Sequence, residues 1–358
     1  MKSLRRTRFY QKMISAAATA AALLAGGRAA LAQNATLDRG AAALGSTLAG
    51  IGTTGRVLTV AAHPDDEDTP MIAWLAKGRH VETAYLSLTR GDGGQNLIGN
   101  ELGEALGAIR TQELLSARRI DGGRQYFTRA YDFGFSKNAE ETYTHWPKDS
   151  ILGDVVRVVR AFRPHVMIAF FSGTPRDGHG HHQVSGLLAR EAYDLAADTV
   201  RFPVKGFGLP WTPQKFYRSA RQAPDSATLR VNVGEYDALL GRSYYEIAAE
   251  SRSQHKSQGF GVLQKKGTML GYLSREATRV VLDSALRTIT AVRAMYRADD
   301  PSPIVTPLAS ALRQLLAVRN ASGRGPGLLI AGRPGAPSSL SRRSPDEAPP
   351  ALWDALAT

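Results

Sequence analysis

From residue 55 onward, short apolar runs alternate with longer amphipathic ones, a rhythm that predicts strands joined by helices in a mostly parallel α/β sheet. "RVLTVAA" (56–62), "VETAYLSL" (81–88) and "HVMIAFF" (165–171) read as strands. "TPMIAWLAKG" (69–78), "NELGEALGAIRTQELLSARRI" (100–120) and "DSILGDVVRVVRAFRP" (149–164) read as the flanking helices. The last of these gathers Ile151, Val155, Val158, Val159 and Phe162 on one face, with Arg157, Arg160 and Arg163 largely off it. After about residue 200 the rhythm loosens into "KFYRSA", "LRVNVGEY" and a helix through "YYEIAAESRSQHKSQ", the far side of the same domain. Stretches 279–296 and 306–319 read as a helical pair, and beyond 321 the Gly, Pro, Ser and Arg content predicts a disordered tail. The expected organisation is a 33–54 lead-in, a 55–272 catalytic domain, a 273–320 helical extension and the 321–358 tail.

The first 32 residues change the picture of charge. A basic start, the apolar run "MISAAATAAALLAGG" and "ALA" at 30–32 read as a secretory signal, with the mature chain beginning at Gln33. The run is short of the ~20 residues that a spanning helix needs, so stable membrane insertion is not expected after cleavage. The segment carries six of the 45 basic residues and no acid, leaving 39 basic against 32 acidic residues and a net charge of +7 in place of +13. With the remaining arginines scattered, nucleic acid is excluded as the expected partner, and the expected location is exported, periplasmic or extracellular. Zero cysteines exclude disulfides, thiolate zinc sites and a cysteine nucleophile. Any metal must sit on His, Asp or Glu.

Two clusters remain. "AAHPDDE" puts His63, Asp65 and Asp66 where the first strand ends, and "RDGHGHHQ" puts three of the eight histidines, His179, His181 and His182, in the loop after the strand at 165–171. Ligands of open parallel sheets collect at these strand ends, so the two loops can converge on one ion. A histidine and an aspartate from the first loop with one histidine from the second make the usual three protein ligands of a hydrolytic zinc site. Asp66 is then the ligand and Asp65 the base. Two blander readings stand beside this one: adjacent acids can cap the next helix, and a histidine-rich loop can be a solvated surface. There is no H-E-x-x-H, no G-x-S-x-G and no phosphate loop, and "GDGG" at 91–94 reads as a turn near the site.

"AAHPDDE", "LTRGDGG", "IRTQE", "RPHVMIAF" and "GHGHHQ", in this order, resemble the LmbE-like (PIG-L) family of metal-dependent N-acetylglucosaminyl deacetylases over roughly residues 55–260. The resemblance implies a Rossmann-like fold, Zn2+ or another divalent metal, and hydrolysis of the acetamide of an N-acetylated sugar or glycoconjugate. It implies His63, Asp66 and His182 as metal ligands, Asp65 as general base, and His179 as the group that stabilises the oxyanion or protonates the leaving amine. Arg110 is implied to contact sugar hydroxyls and Asp132, more loosely, to hold the sugar, with Glu67 and His181 supporting the site from behind. Members commonly read G-H-P-D-H where this chain has G-H-G-H-H, so His181 replaces an aspartate thought to orient the catalytic histidine; Asp177 stands where some members carry tyrosine. "HKSQG" is expected to pack near the site. An amidase for non-sugar N-acyl compounds and a non-catalytic carbohydrate-binding protein are the competing readings, and the oligomeric state is left open.

Overall fold

The computed structural model describes residues 38–280. The predicted signal segment and helical pair lie outside the described residues, as does the tail. Gly55–Arg279 and the described residues up to Ile51 form one compact unit. No described helix is long and apolar enough to cross a membrane.

Seven strands form the sheet: β1 (Arg56–Ala61), β2 (Glu82–Ser87), β3 (Arg124–Phe127), β4 (Val166–Ala169), β5 (Lys215–Ser219), β6 (Leu229–Asn232) and a later strand, Leu270–Thr278. A separate ribbon pairs β7 (Tyr236–Asp237) with β8 (Arg242–Ser243), which makes Leu270–Thr278 β9. The order is β3-β2-β1-β4-β5-β9-β6. The pairs from β3 across to β5 are parallel, and β9 runs antiparallel between β5 and β6. Because β9 is a sheet strand, the domain does not end at 272, and the expected extension from 273 begins inside the sheet.

The central strands are covered on both faces, which is why β1 is almost continuously buried. Its alternation divides the core. Leu58 and Val60 face one layer, with Leu86, Met167 and the helices α5 (Lys148–Phe162) and α6 (Gly180–Leu195). Ala61 faces the other layer, with Ile72, Tyr85 and Leu114. That layer holds α2 (Thr69–Ala73), prolonged by a π-helical turn at Trp74–Gly78, and α3 (Glu104–Asp121), both packed on α7 (Tyr244–Arg252). Two further helices are α1 (Gly40–Ala49), within the expected lead-in, and α4 (Ala139–His145).

The apolar face of α5 is buried as its spacing predicts, and Arg160, off that face, is buried too: its side chain donates to the carbonyls of Ala196, Asp198, Phe202 and Gly208 at 2.7–3.0 Å. A guanidinium can lie inside when its N–H groups close the carbonyls of a loop end.

Candidate metal centre and active site

The strand order reverses between β1 and β4, so the loops that leave their carboxyl ends meet over a topological switch point. In the first loop the helix cap is Asp68, whose carboxylate accepts the Met71 N–H at 3.2 Å. That leaves Asp65 and Asp66 without a capping task and answers the first of the blander readings. In the second loop, Asp177 accepts the N–H groups of Ser172, Gly173 and Thr174, which folds residues 172–177 into a tight turn. Gly180 then packs so closely that a Cβ there would stand 2.2 Å from the Asn138 carbonyl, and this contact seats the start of α6. The histidine-rich loop is no solvated surface: His181 is wholly buried.

The ligating atoms of His63, Asp66 and His182 lie within 4.8 Å of one another. Asp66 Oδ2 accepts the His63 backbone N–H at 2.7 Å and lies 3.0 Å from His63 Nδ1, while Asp66 Oδ1 lies 3.6 Å from His182 Nε2. Two donors about 2.1 Å from one ion sit no more than about 4.2 Å apart. The triad's spacings are of the order that one cation can draw together by adjustment of its side chains. The donor set, two imidazoles and a carboxylate, fits zinc or a similar divalent ion. His63, His179 and His181 form a second cluster of the same tightness that shares His63.

The electrostatics are those of a place short of positive charge. Burial opposes a charge on His63, but Asp66, with help from Asp132 and Asp65, outweighs it and raises the pKa. Burial likewise acts against the Asp66 carboxylate, and His63 and then His182 overturn it, holding the carboxyl well below its usual range. Burial lowers both His179 and His182, and pushes His181 down to about 2, with the neighbouring imidazoles adding to the effect. Those three rings are thus neutral at pH 7 and keep a nitrogen lone pair each.

Each ring is wedged. His182 stacks on Phe171 with centroids 3.9 Å apart and sets Nδ1 3.2 Å from the Asp177 carbonyl. His179 stacks between His63 and Phe135 and anchors Nδ1 on Ser136, 3.1 Å from its carbonyl. His181 lies between Trp146 and Phe133, 4.4 Å from each ring, with Nδ1 3.1 Å from His63 Nε2. It packs behind His63 in an aromatic box, so an imidazole stands there without the partners that a buried carboxylate would require.

Asp65 is not one of the triad: its Oδ1 accepts from Arg110 at 2.5 Å. Arg110 is 3% exposed and gives its other terminal nitrogen to the Gly91 carbonyl at 3.2 Å. It therefore braces Asp65 and does not line the open cleft, which departs from the sugar contact that the resemblance implies for it. The "GDGG" turn is made for this: Gly91 has φ +74°, and a Cβ on it would fall 2.3 Å from Arg110. Asp132 does face both ways. Its Oδ2 is 3.9 Å from His63 Nε2, and it lines a cleft of about 740 Å³ together with Arg90, Asp92, Leu102, Tyr131 and Phe133.

Glu67 is wholly buried, with Oε1 2.6 Å from His255 Nε2 and 3.3 Å from Arg118. Its carboxyl, penalised by burial, is held low by His255 and Arg118. The sequence reading missed Tyr85, whose hydroxyl donates to the His63 carbonyl at 2.5 Å, and Ser136. A tyrosine inside a buried strand always needs a partner for its hydroxyl, but nothing in the sequence says which.

Residues 58–193 match the family model described as PIG-L, GlcNAc-PI de-N-acetylase. The chain is 29% identical over 177 residues to a mycothiol S-conjugate amidase of Streptomyces coelicolor, covering 45% of this chain and 59% of that protein. It is 31% identical over 188 residues to a 1D-myo-inositol 2-acetamido-2-deoxy-α-D-glucopyranoside deacetylase of Rhodococcus opacus, covering 47% of this chain and 62% of that one. It thus spans about three fifths of the length of these two relatives. Among solved structures, an N,N'-diacetylchitobiose deacetylase from Pyrococcus horikoshii is similar, with a TM-score of 0.45 and 19% identity over 62% of this chain and 80% of that chain. The family match begins within β1, takes in both loops and closes near the end of α6, so the segment that carries the site is the one that matches the PIG-L, or LmbE-like, family model.

Proposed function

We propose that the protein is a metal-dependent hydrolase that removes the N-acetyl group from an amino sugar or a related small amide. The observation that carries this reading is the convergence of His63, Asp66 and His182 from two loops, with a second carboxylate, Asp65, immediately beside them and outside the triad. These three residues would hold Zn2+ or another divalent ion, which when bound supplies Lewis acidity to polarise an amide carbonyl and make a water nucleophilic at neutral pH. Arg110 fixes one oxygen of Asp65, and the other takes the proton that the attacking water gives up. His179, whose Nδ1 accepts the Ser136 backbone N–H at 3.2 Å, then carries its proton on Nε2 and would stabilise the tetrahedral oxyanion or, after taking up the proton that Asp65 received from the water, protonate the departing amine. Asp132 accepts from a sugar hydroxyl at the border between the imidazoles and the cleft.

The size of that cleft, about 740 Å³, suits a glycoside or conjugate larger than a single acetamido sugar. It also supports a second reading, an amidase for a bulkier N-acyl compound, in line with the amidase among the relatives. The composition of residues 1–32 supports an exported location, and amino-terminal sequencing that starts at Gln33 checks it. The function is tested by metal analysis of purified protein and an amine-release screen over N-acetyl sugars, their glycosides and longer N-acyl analogues. Metal-dependent release from at least one N-acetyl sugar is expected; a metal-free protein inert to the whole screen would favour a carbohydrate-binding role.

A further inference from the structure

Below the acidic turn lies a buried polar assembly that the proposed reaction does not use. Glu67 is gripped from three sides: His255 Nε2 and Arg118 reach its carboxylate at 2.6 and 3.3 Å, and Arg252 donates to its backbone carbonyl at 3.3 Å. Arg118 is closed in turn by Asp121 at 2.6 Å, whose carboxylate accepts from Ser251 at 2.6 Å. Two residues beyond His255, Ser257 gives both its backbone N–H and its hydroxyl to Glu113, at 2.7 and 2.6 Å. Glu113 is one turn along α3 from Arg110, the residue that braces Asp65. The same segment accepts the Leu97 N–H on the Ser257 carbonyl at 2.8 Å and donates from Gln258 to the Gln95 carbonyl at 2.7 Å.

We propose that His255–Gln258 is a positioning segment that sets Asp65 and Asp66 relative to one another, His255 acting through Glu67 and Ser257 acting through Glu113 and α3. This rests on the functional reading above. Asp66 is adjacent to Glu67 in the chain, so a shift of the Glu67 carboxylate moves the ligand directly. Asp65 depends on α3 through Arg110. One stretch of backbone therefore holds both ends of the acidic pair. His255 is wholly buried, and its partner is a buried carboxylate. A loop that only needed filling would have been served by an apolar side chain, since a buried polar pair adds little net stability over one.

The test uses the full chain and four variants. His255→Leu and His255→Asn remove or shorten the donor to Glu67, His255→Gln places an amide N–H near the position of Nε2, and Ser257→Ala releases Glu113. Affinity for zinc is read by competition with a chromophoric chelator, kcat and KM by amine release, and folding by thermal melts. We expect the Leu and Asn variants to bind zinc 10–100-fold more weakly, the scale of losing a group that orients a metal ligand. For these two, kcat should fall with little change in KM, and the Gln variant should recover most of both. Ser257→Ala should lower kcat and leave zinc affinity within about 3-fold, because it acts on the Asp65 side. Asparagine keeps a polar group in place if leucine does not fold. Leu or Asn variants that melt lower yet bind zinc and turn over as the parent does would overturn the proposal, as would a Gln variant no better than Leu. If the parent releases no amine, the functional reading fails by itself, and the zinc affinities still decide whether His255 positions the turn.

Discussion

Asp65 and Asp66 are neighbours of one residue type, and their surroundings assign them different fates on substitution by asparagine. At Asp65 the amide can keep its carbonyl oxygen on Arg110, where Oδ1 now accepts at 2.5 Å. A hydrogen bond to a charged group is worth about 1.5–3 kcal/mol and a neutral one about 0.5–1.5. With the side chain 21% exposed, the stability cost should be near the low end of that difference, about 1 kcal/mol. The lost function is proton acceptance, which contributes about 10²–10⁴ in rate, or roughly 3–5 kcal/mol of barrier. Asp65 is outside the triad, so zinc affinity should stay within about 3-fold of the parent. At Asp66 both oxygens are used, Oδ2 by the His63 N–H and ring and Oδ1 toward His182. Asparagine can match only one of these, and it carries no charge to hold a cation. Asp66→Asn should lose zinc affinity by 100-fold or more as well as rate. Zinc per protein after dialysis against a metal buffer, measured with amine release on the same preparations, separates the two. Equal loss of zinc in both variants would make both acids ligands; parent-like hydrolysis by Asp65→Asn would place the base elsewhere.

Other consequences can be checked independently. Removing the metal with a chelator should abolish amine release and lower the melting temperature, with both restored by zinc; an ion at 100 times its Kd adds about 2.7 kcal/mol to the folded state. Gly91→Ala forces a left-handed backbone on alanine, a cost of about 1–2 kcal/mol, and drives its Cβ into Arg110; a large loss of kcat should follow, and unchanged activity would show that Arg110 does not brace Asp65. His181→Asp should cost about 2–4 kcal/mol, because it sets a carboxylate among aromatic rings close to Asp132; chemical denaturation measures it. Lys215 is buried in β5 and its ammonium is pushed down to about 8, by burial first and by Arg275 second. Since its folded pKa lies below the unfolded value, the unfolded chain binds more protons over that window, and the native state should gain stability as pH rises from about 8 to 10.5, by up to about 3 kcal/mol. Lys215→Met should raise stability at pH 7 and flatten that dependence.

The parallel part of the fold is legible because strands buried on both faces write themselves as continuous apolar runs: β1, β2 and β4 fall inside the three stretches that read most clearly. What escapes has physical reasons. β3 is "RQYF", four residues at the sheet edge with a single buried position, too short and polar for any period. β9 reads "LGYLSREAT" and interleaves charges because its exposed positions point to solvent; Arg218 of β5 and Glu276 of β9 form an ion pair there. The helix α4 is not predicted, although Asn138 three residues before Glu141 is an N-cap pattern, which the structure uses when Asn138 accepts the Glu141 N–H at 2.9 Å.

The site divides along the same line. Which residues gather is a matter of topology: ligands at the ends of β1 and β4 must meet because those strands are neighbours where the order reverses, and that much follows from strand-end placement. Where each side chain points is a matter of packing, and there the sequence is nearly silent. Arg110 occupies a helix position that could as well turn into the cleft; it turns inward because two glycines of "GDGG" leave a channel the width of a guanidinium, with Asp65 at its far end. Glu67 continues an acidic run and yet faces the interior, since α3 and α7 bring Arg118, Arg252 and His255 beneath it. The run of acids at 65–67 is thus three separate electrostatic problems with three solutions: an arginine for Asp65, imidazoles and, as proposed above, a cation for Asp66, and a buried polar cluster for Glu67. Such crowding persists because each charge has a different partner, and the partner proposed for Asp66 beyond His63 and His182 is one that a polypeptide cannot supply.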